Sequence, residues 1–277
     1  MSSVLVADVR EFAASLAGAL ERHPTEDPWC PGAYADDRNQ ALRDAVFELG
    51  WADVTTDPRL LPFVAPAAVE LGRRFAPLDL VDATLGGGLL VDGYARYVGE
   101  GDRLVEIAGD ALYMRTAVRL TPVGYIDALA VHTVDAVEDE EAITGANAAG
   151  RREAWVAANA GYLAGLAAEA VRLAAEHAKS RHAFGRPLAA LDPIQQHLAT
   201  AATLADGTSL LAEERVTPAG LAHAGEAACQ ATALCQQVVG AIGYTLEFPL
   251  QRAFRRARAV RIWGDAVLAR MDAGARA

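Results

Sequence analysis

Apolar positions recur every three to four residues near both ends of the chain and alternate through its middle. Residues 4–23 and 37–50 read as helices, with Val6, Val9, Phe12 and Leu16 on one face. The stretch between them, HPTEDPWCPGAYADD, is rich in Pro, Asp and Gly and predicts a loop. A third helix is expected over Pro66 to Phe75. From Leu85 to Ile143 the period shortens: RLVEIAG, ALYMRTAV and YIDALAVHTV carry alternating or β-branched patterns separated by turn residues. They predict a small, mostly antiparallel sheet, and VEDEEAIT after them reads as its solvated edge. Beyond Gly145 the helical period returns. It predicts a long helix over 151–182, a second over 189–214, a third starting at Thr217-Pro218 and ending near 240–243, and a fourth running from Pro249 to about Met271. The fold class is therefore mainly α: N-terminal helices (1–84), a reduced β region (85–145) and a C-terminal four-helix bundle (146–277).

Composition sharpens this picture. Of 277 residues, 52% are hydrophobic but 6% aromatic, so the core must be built from Ala, Leu and Val, side chains that let helices approach closely. A net charge of −11 argues against a nucleic-acid or acidic-membrane binder. Cys30, Cys229 and Cys235 form no metal-ligand pattern, and their odd number suits a reducing compartment. Cys229 and Cys235 read as buried, inert thiols. His132, His177, His182, His197 and His223 show no metal spacing either. MSSVLVADVREFAASL has acidic residues and no uninterrupted apolar run, so neither signal peptide nor membrane anchor is expected, and the expected location is the cytoplasm.

Two stretches carry candidate chemistry. In KSRHAFGRPLAALDPIQQHLA (179–199) a helix end presents Arg181 and Phe184 three residues apart, then Gly185-Arg186-Pro187. Gly and Pro after a helix are ordinary punctuation. A guanidinium fork suits phosphate oxygens, however, and a ring can cover a flat heterocycle. In QVVGAIGY (237–244) glycines allow close backbone approach, and the amide of Gln237 could bond a pyrophosphate. Arg252, Arg255, Arg256, Arg258 and Arg261 cover more than one face of the last helix, for which a solvated or intersubunit role is expected.

These stretches resemble the acyl-CoA dehydrogenase family, whose Arg-x-x-Phe-Gly-Arg-Pro corner and Gln-x-x-Gly-Gly-x-Gly-Tyr turn are similar in order and spacing over residues 151–270. The resemblance implies FAD, with Arg181 and Phe184 contacting the ADP half of a flavin held by a neighbouring subunit, and Gln237 and Gly240 near the pyrophosphate. It implies α,β-dehydrogenation of an acyl-CoA or other acyl thioester. Departures are informative. Asp192 and Ala241 replace a family Gln and Gly, and no Thr-Glu-Pro or Gly-Ser-Asp stretch lies between Leu85 and Ile143. The family's catalytic glutamate falls on Gly264, and its alternative base falls near Trp155, with Glu153 turned to another face. Asp265, the adjoining carboxylate, is the candidate catalytic residue of this chain; pairing with Arg261 is the favoured role for it, with the base then expected from a partner chain. A shortened chain with Gly-Asp at this place resembles the two-subunit enzymes of actinobacterial sterol breakdown. The implied partner is a second acyl-CoA dehydrogenase-like subunit, in a hetero-dimer or hetero-tetramer, with self-association as the alternative. Two further readings stay open: an inactive subunit that completes another chain's FAD site, and a family member repurposed for non-redox chemistry.

Overall fold

A computed structural model describes residues 3–23, 36–124, 131–214 and 216–275. Cys30, most of the first loop and the start of the YIDALAVHTV segment lie outside the described residues. Helices α1 (Ser3–Arg22), α2 (Asp36–Glu48), α3 (Trp51–Thr56), α4 (Leu61–Arg73) and α5 (Asp79–Asp82) precede the strands. Then come β1 (Gly88–Val91), β2 (Tyr94–Arg96), β3 (Arg103–Ala108), β4 (Ala111–Val123) and β5 (Val131–Ile143). Four long helices follow: α6 (Gly145–Ser180), α7 (Asp192–Glu213), α8 (Pro218–Val239) and α9 (Leu250–Ala275).

Several elements depart from the pattern read along the chain. α4 begins five residues before Pro66, with Pro62 in its first turn and Pro66 inside it. Proline favours the first turn of a helix, and here Pro62 rather than Pro66 marks it. α6 starts at Gly145, ahead of the apolar run, because the opening GANAAG is mostly exposed and carries little apolar signal. The strands do not lie in an open sheet. They close as a barrel in the order β1-β2-β5-β4-β3, with β1 pairing β3 in parallel and the other pairs antiparallel. The barrel has its own small core of Leu90, Ala95, Val98, Leu104 and Ala117. The acidic run is the second half of β5, paired along one side with β4 and held there by Arg115–Glu140 and Arg103–Glu141.

α6 is the axis of the molecule. It packs against α4, α7, α8 and α9, and its residues from Ala154 to Ala167 are buried throughout. The contact with α4 is made backbone to backbone. A Cβ on Gly161 would collide with the Ala65 carbonyl oxygen, and one on Gly165 with that of Val69. Polar ties join the regions across this core. Tyr162 donates to the Ala76 carbonyl at 2.6 Å, and Arg256 of α9 donates to the Tyr162 hydroxyl at 2.8 Å. Arg256 is 3% exposed, so it is a buried structural group, contrary to the solvated role expected for the arginines of this helix.

Candidate functional site

The stretch after α6 is a β-hairpin, where the sequence suggested helix punctuation. His182–Ala183 pair with Arg186–Pro187, and the turn residues Phe184 and Gly185 both have positive φ, at 53° and 74°. Two left-handed residues in a two-residue loop match the right-handed twist of the flanking strands, and glycine takes the second place at no steric cost. A phenylalanine in that conformation is strained by roughly 1–3 kcal/mol. Its ring nevertheless stands 91% exposed. Arg181 and Arg186 are exposed on the same hairpin stem. The bulky aromatic is thus presented to the outside by a tight, rigid support.

The second candidate stretch lies at the same end of the bundle. The ring of His177, in the last turn of α6, meets Phe248, in the segment between α8 and α9, edge-on at 5.6 Å. Gln237 is exposed, and Gly240 closes α8 with φ 74° and ψ −146°, open to solvent on the side a Cβ would occupy. Gly243 serves packing instead: a Cβ there would strike the Gln236 side chain. Around this turn Ile242, Tyr244 and Leu246 are exposed, so apolar surface continues beside the glycines. Burial and the nearby Arg181 charge hold the His177 pKa below its ordinary value.

Asp265 lies elsewhere, half-exposed on α9, with Oδ2 3.5 Å from Arg261 Nε. The helix runs straight through Gly264, and a pair four residues apart on one helical face is what the sequence favoured for this carboxylate. Trp155 and Trp263, next to the two positions discussed for a base, are both in the core. Trp155 Nε1 donates to Asp82 Oδ1 at 3.0 Å, and Asp82 accepts from Arg96 Nε and Nη2 at 2.7 and 2.8 Å. The Arg96 guanidinium stands 5.1 Å from the Trp263 ring centre. Sequence reasoning missed Asp82 and Arg96. Their signal was a charge inside otherwise apolar segments, LDLVDATL and YARYV.

Among the described residues no group of three or more His, Cys, Asp or Glu is placed to hold a metal, and no helix is long and apolar enough to cross a membrane. Cys235 is buried and pushed up to about 12, and burial also raises Cys229, which leaves both as poor nucleophiles.

Residues 156–266 match the family described as acyl-CoA dehydrogenase, C-terminal domain. Over 124 residues the chain is 32% identical to cyclohex-1-ene-1-carbonyl-CoA dehydrogenase of Syntrophus aciditrophicus, a match that covers 40% of this chain and 30% of that protein. The solved structure of a variant of the Tcur3481-Tcur3483 steroid ACAD superposes with a TM-score of 0.72 over 98% of both chains, at 18% identity. The fold is acyl-CoA dehydrogenase-like. The ChsE4-ChsE5 complex from Mycobacterium tuberculosis agrees, with a TM-score of 0.67 at 14% identity over 97% of this chain and 96% of that one. In this acyl-CoA dehydrogenase-like bundle, Trp155 is one residue before the matched segment, while the hairpin, the α8–α9 turn and Asp265 fall inside it.

Proposed function

We propose that the chain is an acyl-CoA dehydrogenase family member acting as one subunit of an FAD-dependent complex that introduces an α,β double bond into an acyl thioester. The observation that carries this reading is the end of the bundle where an exposed guanidinium and ring on the hairpin accompany Gln237, in the last turn of α8, and Gly240, which closes it. The groups fit the cofactor chemically. Arg181 offers a planar donor fork for phosphate oxygens, Phe184 a free aromatic face, Gln237 an exposed amide, and Gly240 an unobstructed backbone approach. Arg181 and Phe184 would hold the ADP half, and Gln237 and Gly240 the pyrophosphate. Bound there, FAD would supply hydride-accepting chemistry for the substrate β-carbon, and removal of the α-proton would fall to a carboxylate.

The remaining flavin and thioester contacts, and the base, are assigned to a second acyl-CoA dehydrogenase-like chain in a hetero-dimer or hetero-tetramer in the cytoplasm. Supporting this are the outward-facing hairpin, the exposed Ile242, Tyr244 and Leu246 at the same end, and two fold neighbours, Tcur3481-Tcur3483 and ChsE4-ChsE5, whose names each pair two proteins. A sterol side chain would be the acyl group if the likeness to a steroid ACAD extends to substrate. The pairing of Asp265 with Arg261 favours a second reading, in which this chain completes its partner's site and contributes no reacting group.

The chain produced alone is expected to be colourless, and produced with a second acyl-CoA dehydrogenase-like chain that assembles with it, yellow. Arg181→Ala should weaken flavin retention in the complex by about ten- to a hundredfold, the equivalent of about 1.5–3 kcal/mol for a charge-assisted contact, with Arg181→Lys in between. Unchanged retention in Arg181→Ala would remove the assignment. A yellow, active chain purified alone would remove the partner.

A further inference from the structure

The arginines of α9 meet different surroundings. Arg252 lies over the Phe75 ring, Arg255 donates to Gln251, Arg256 reaches Tyr162 in the core and Arg261 faces Asp265. Arg258 is partly buried against α8, and no carboxylate among the described residues pairs with it. Its Nη1 donates to the Phe254 carbonyl at 2.7 Å and to Thr232 Oγ1 at 3.4 Å, and its Nη2 to the Cys229 carbonyl at 3.5 Å. Its Cζ stands 3.3 Å from the centre of the Phe254 ring. Burial holds its pKa below the ordinary arginine value, Cys229 and Tyr244 oppose that shift, and the like charge of Arg261 adds to it. Acids are not scarce in this chain, which has 36 Asp and Glu against 25 Lys and Arg, yet none of the described ones reaches this cation.

What these contacts leave over has a defined shape. Nε and the remaining Nη2 proton have no acceptor among the described residues, and Nε is not buried. They form the side-on fork that Arg96 turns to the Asp82 carboxylate, at 2.7 and 2.8 Å. The ring beneath and the carbonyls beside it hold the Arg258 guanidinium in place, so little freedom is left to lose when the fork is filled. Tyr244, edge-on to Phe254 at 6.4 Å, and Ile262, one turn further along α9, are exposed and continue the apolar surface of Ile242 and Leu246. A cation among apolar groups that can shut out water is where interface energy concentrates. We propose that Arg258 anchors the second chain by giving its Nε and Nη2 fork to an Asp or Glu carboxylate of that chain. The apolar surround suits a carboxylate carried on a protein surface better than a nucleotide phosphate, whose further oxygens would find no donors there. The inference rests on the two-chain reading and adds to it the point of attachment and the charge of the group that meets it.

The test combines this chain with the second acyl-CoA dehydrogenase-like chain and measures their dissociation constant by sedimentation, with FAD in excess. Arg258→Gln removes both charge and fork and should weaken assembly by about thirtyfold. Arg258→Lys keeps a charge without the fork and should fall between; it provides the measurement if the glutamine variant fails to fold. FAD affinity, read at concentrations that keep the complex assembled, should be unchanged. The isolated Arg258→Gln chain should unfold at a urea midpoint no lower than the parent's, because the group it loses is a cation that burial disfavours. Assembly as tight as the parent's in Arg258→Gln would overturn the inference. So would a loss of FAD affinity with assembly intact, which would give the fork to a nucleotide phosphate. A lower midpoint of the isolated chain, with assembly reduced only in step with it, would make Arg258 a support of the fold and overturn the inference as well. A parent chain that binds no second chain would instead overturn the two-chain reading, and the inference with it.

Discussion

Gln236 carries an amide into an apolar core and gives it nothing to bond. The side chain is 1% exposed, and neither its oxygen nor its nitrogen has a hydrogen-bond partner among the described residues. Leaving buried polar groups unsatisfied costs about 1–3 kcal/mol, whereas an apolar side chain of similar length loses nothing there. Gln236→Met should therefore raise the thermal midpoint of the isolated chain by about 2–6 °C, and an unchanged or lower midpoint would show that the amide is satisfied in solution. The charge balance of His177 can be tested at the same scale. Burial first, and Arg181 second, disfavour its protonated form, so its folded pKa lies below the ordinary value of about 6.5. Between those two values the unfolded chain binds more protons than the folded one, and stability falls as pH falls. The contribution is fully present above about pH 6.5. His132, depressed by burial alone, adds in the same direction. Urea midpoints at pH 7.5 and 5.5 should thus differ less in His177→Gln than in the parent, with the residue of the difference left to His132 and the acidic groups. An equal difference in both proteins would show that His177 titrates normally.

Among the elements, periodicity located the long helices because each buries a defined stripe, and it found α7, α8 and α9 within a few residues of their ends. It failed where an element was too short to show a period, as in the six residues of α3 or the three of β2. It failed again at the hairpin, where Gly and Pro speak equally for a helix end and for a tight turn, and where only the positive φ of Phe184 decides. The α4–α6 crossing was legible in composition, as an alanine-rich chain poor in aromatics, but not in place. It makes a prediction of opposite sign to helix propensity. In an exposed helix interior Gly→Ala gains about 0.5–1 kcal/mol, and Gly207 of α7, with nothing near its missing Cβ, should behave that way. Gly161 has the Ala65 backbone where its Cβ would go, and backbone cannot rotate aside as a side chain does. Gly161→Ala should cost about 1–3 kcal/mol through overpacking, read as a lower urea midpoint beside a raised one for Gly207→Ala. Two shifts of the same sign would mean that the crossing has room to spare.

On the scale of the whole molecule, the sequence exposed the proposed nucleotide end more readily than the core. Arg181, Phe184, Gln237 and Gly240 sit in short local patterns, and the fold brings the two patterns to one end of the bundle. Asp82, Arg96, Trp155 and Trp263 are spread over 182 positions, and no local pattern could announce that they would meet. That meeting has a consequence for how the chain unfolds. The Asp82–Arg96 pair joins the helices before the barrel to the barrel itself, Trp155 and Trp263 add α6 and α9, and Tyr162 with Arg256 ties α6 and α9 back to Ala76. No region can leave without exposing a charge or an indole that another region holds, so the three parts should melt together. Helix content by far-ultraviolet circular dichroism and indole fluorescence should give coincident urea transitions, the criterion for a two-state process. Arg96→Met, which leaves Asp82 buried without its cation, should lower stability by about 3–5 kcal/mol and shift both transitions equally. If the helical signal were instead to persist after the fluorescence change, the barrel and the bundle would be separate folding units, and the buried cluster would be a contact between them with no hold on either.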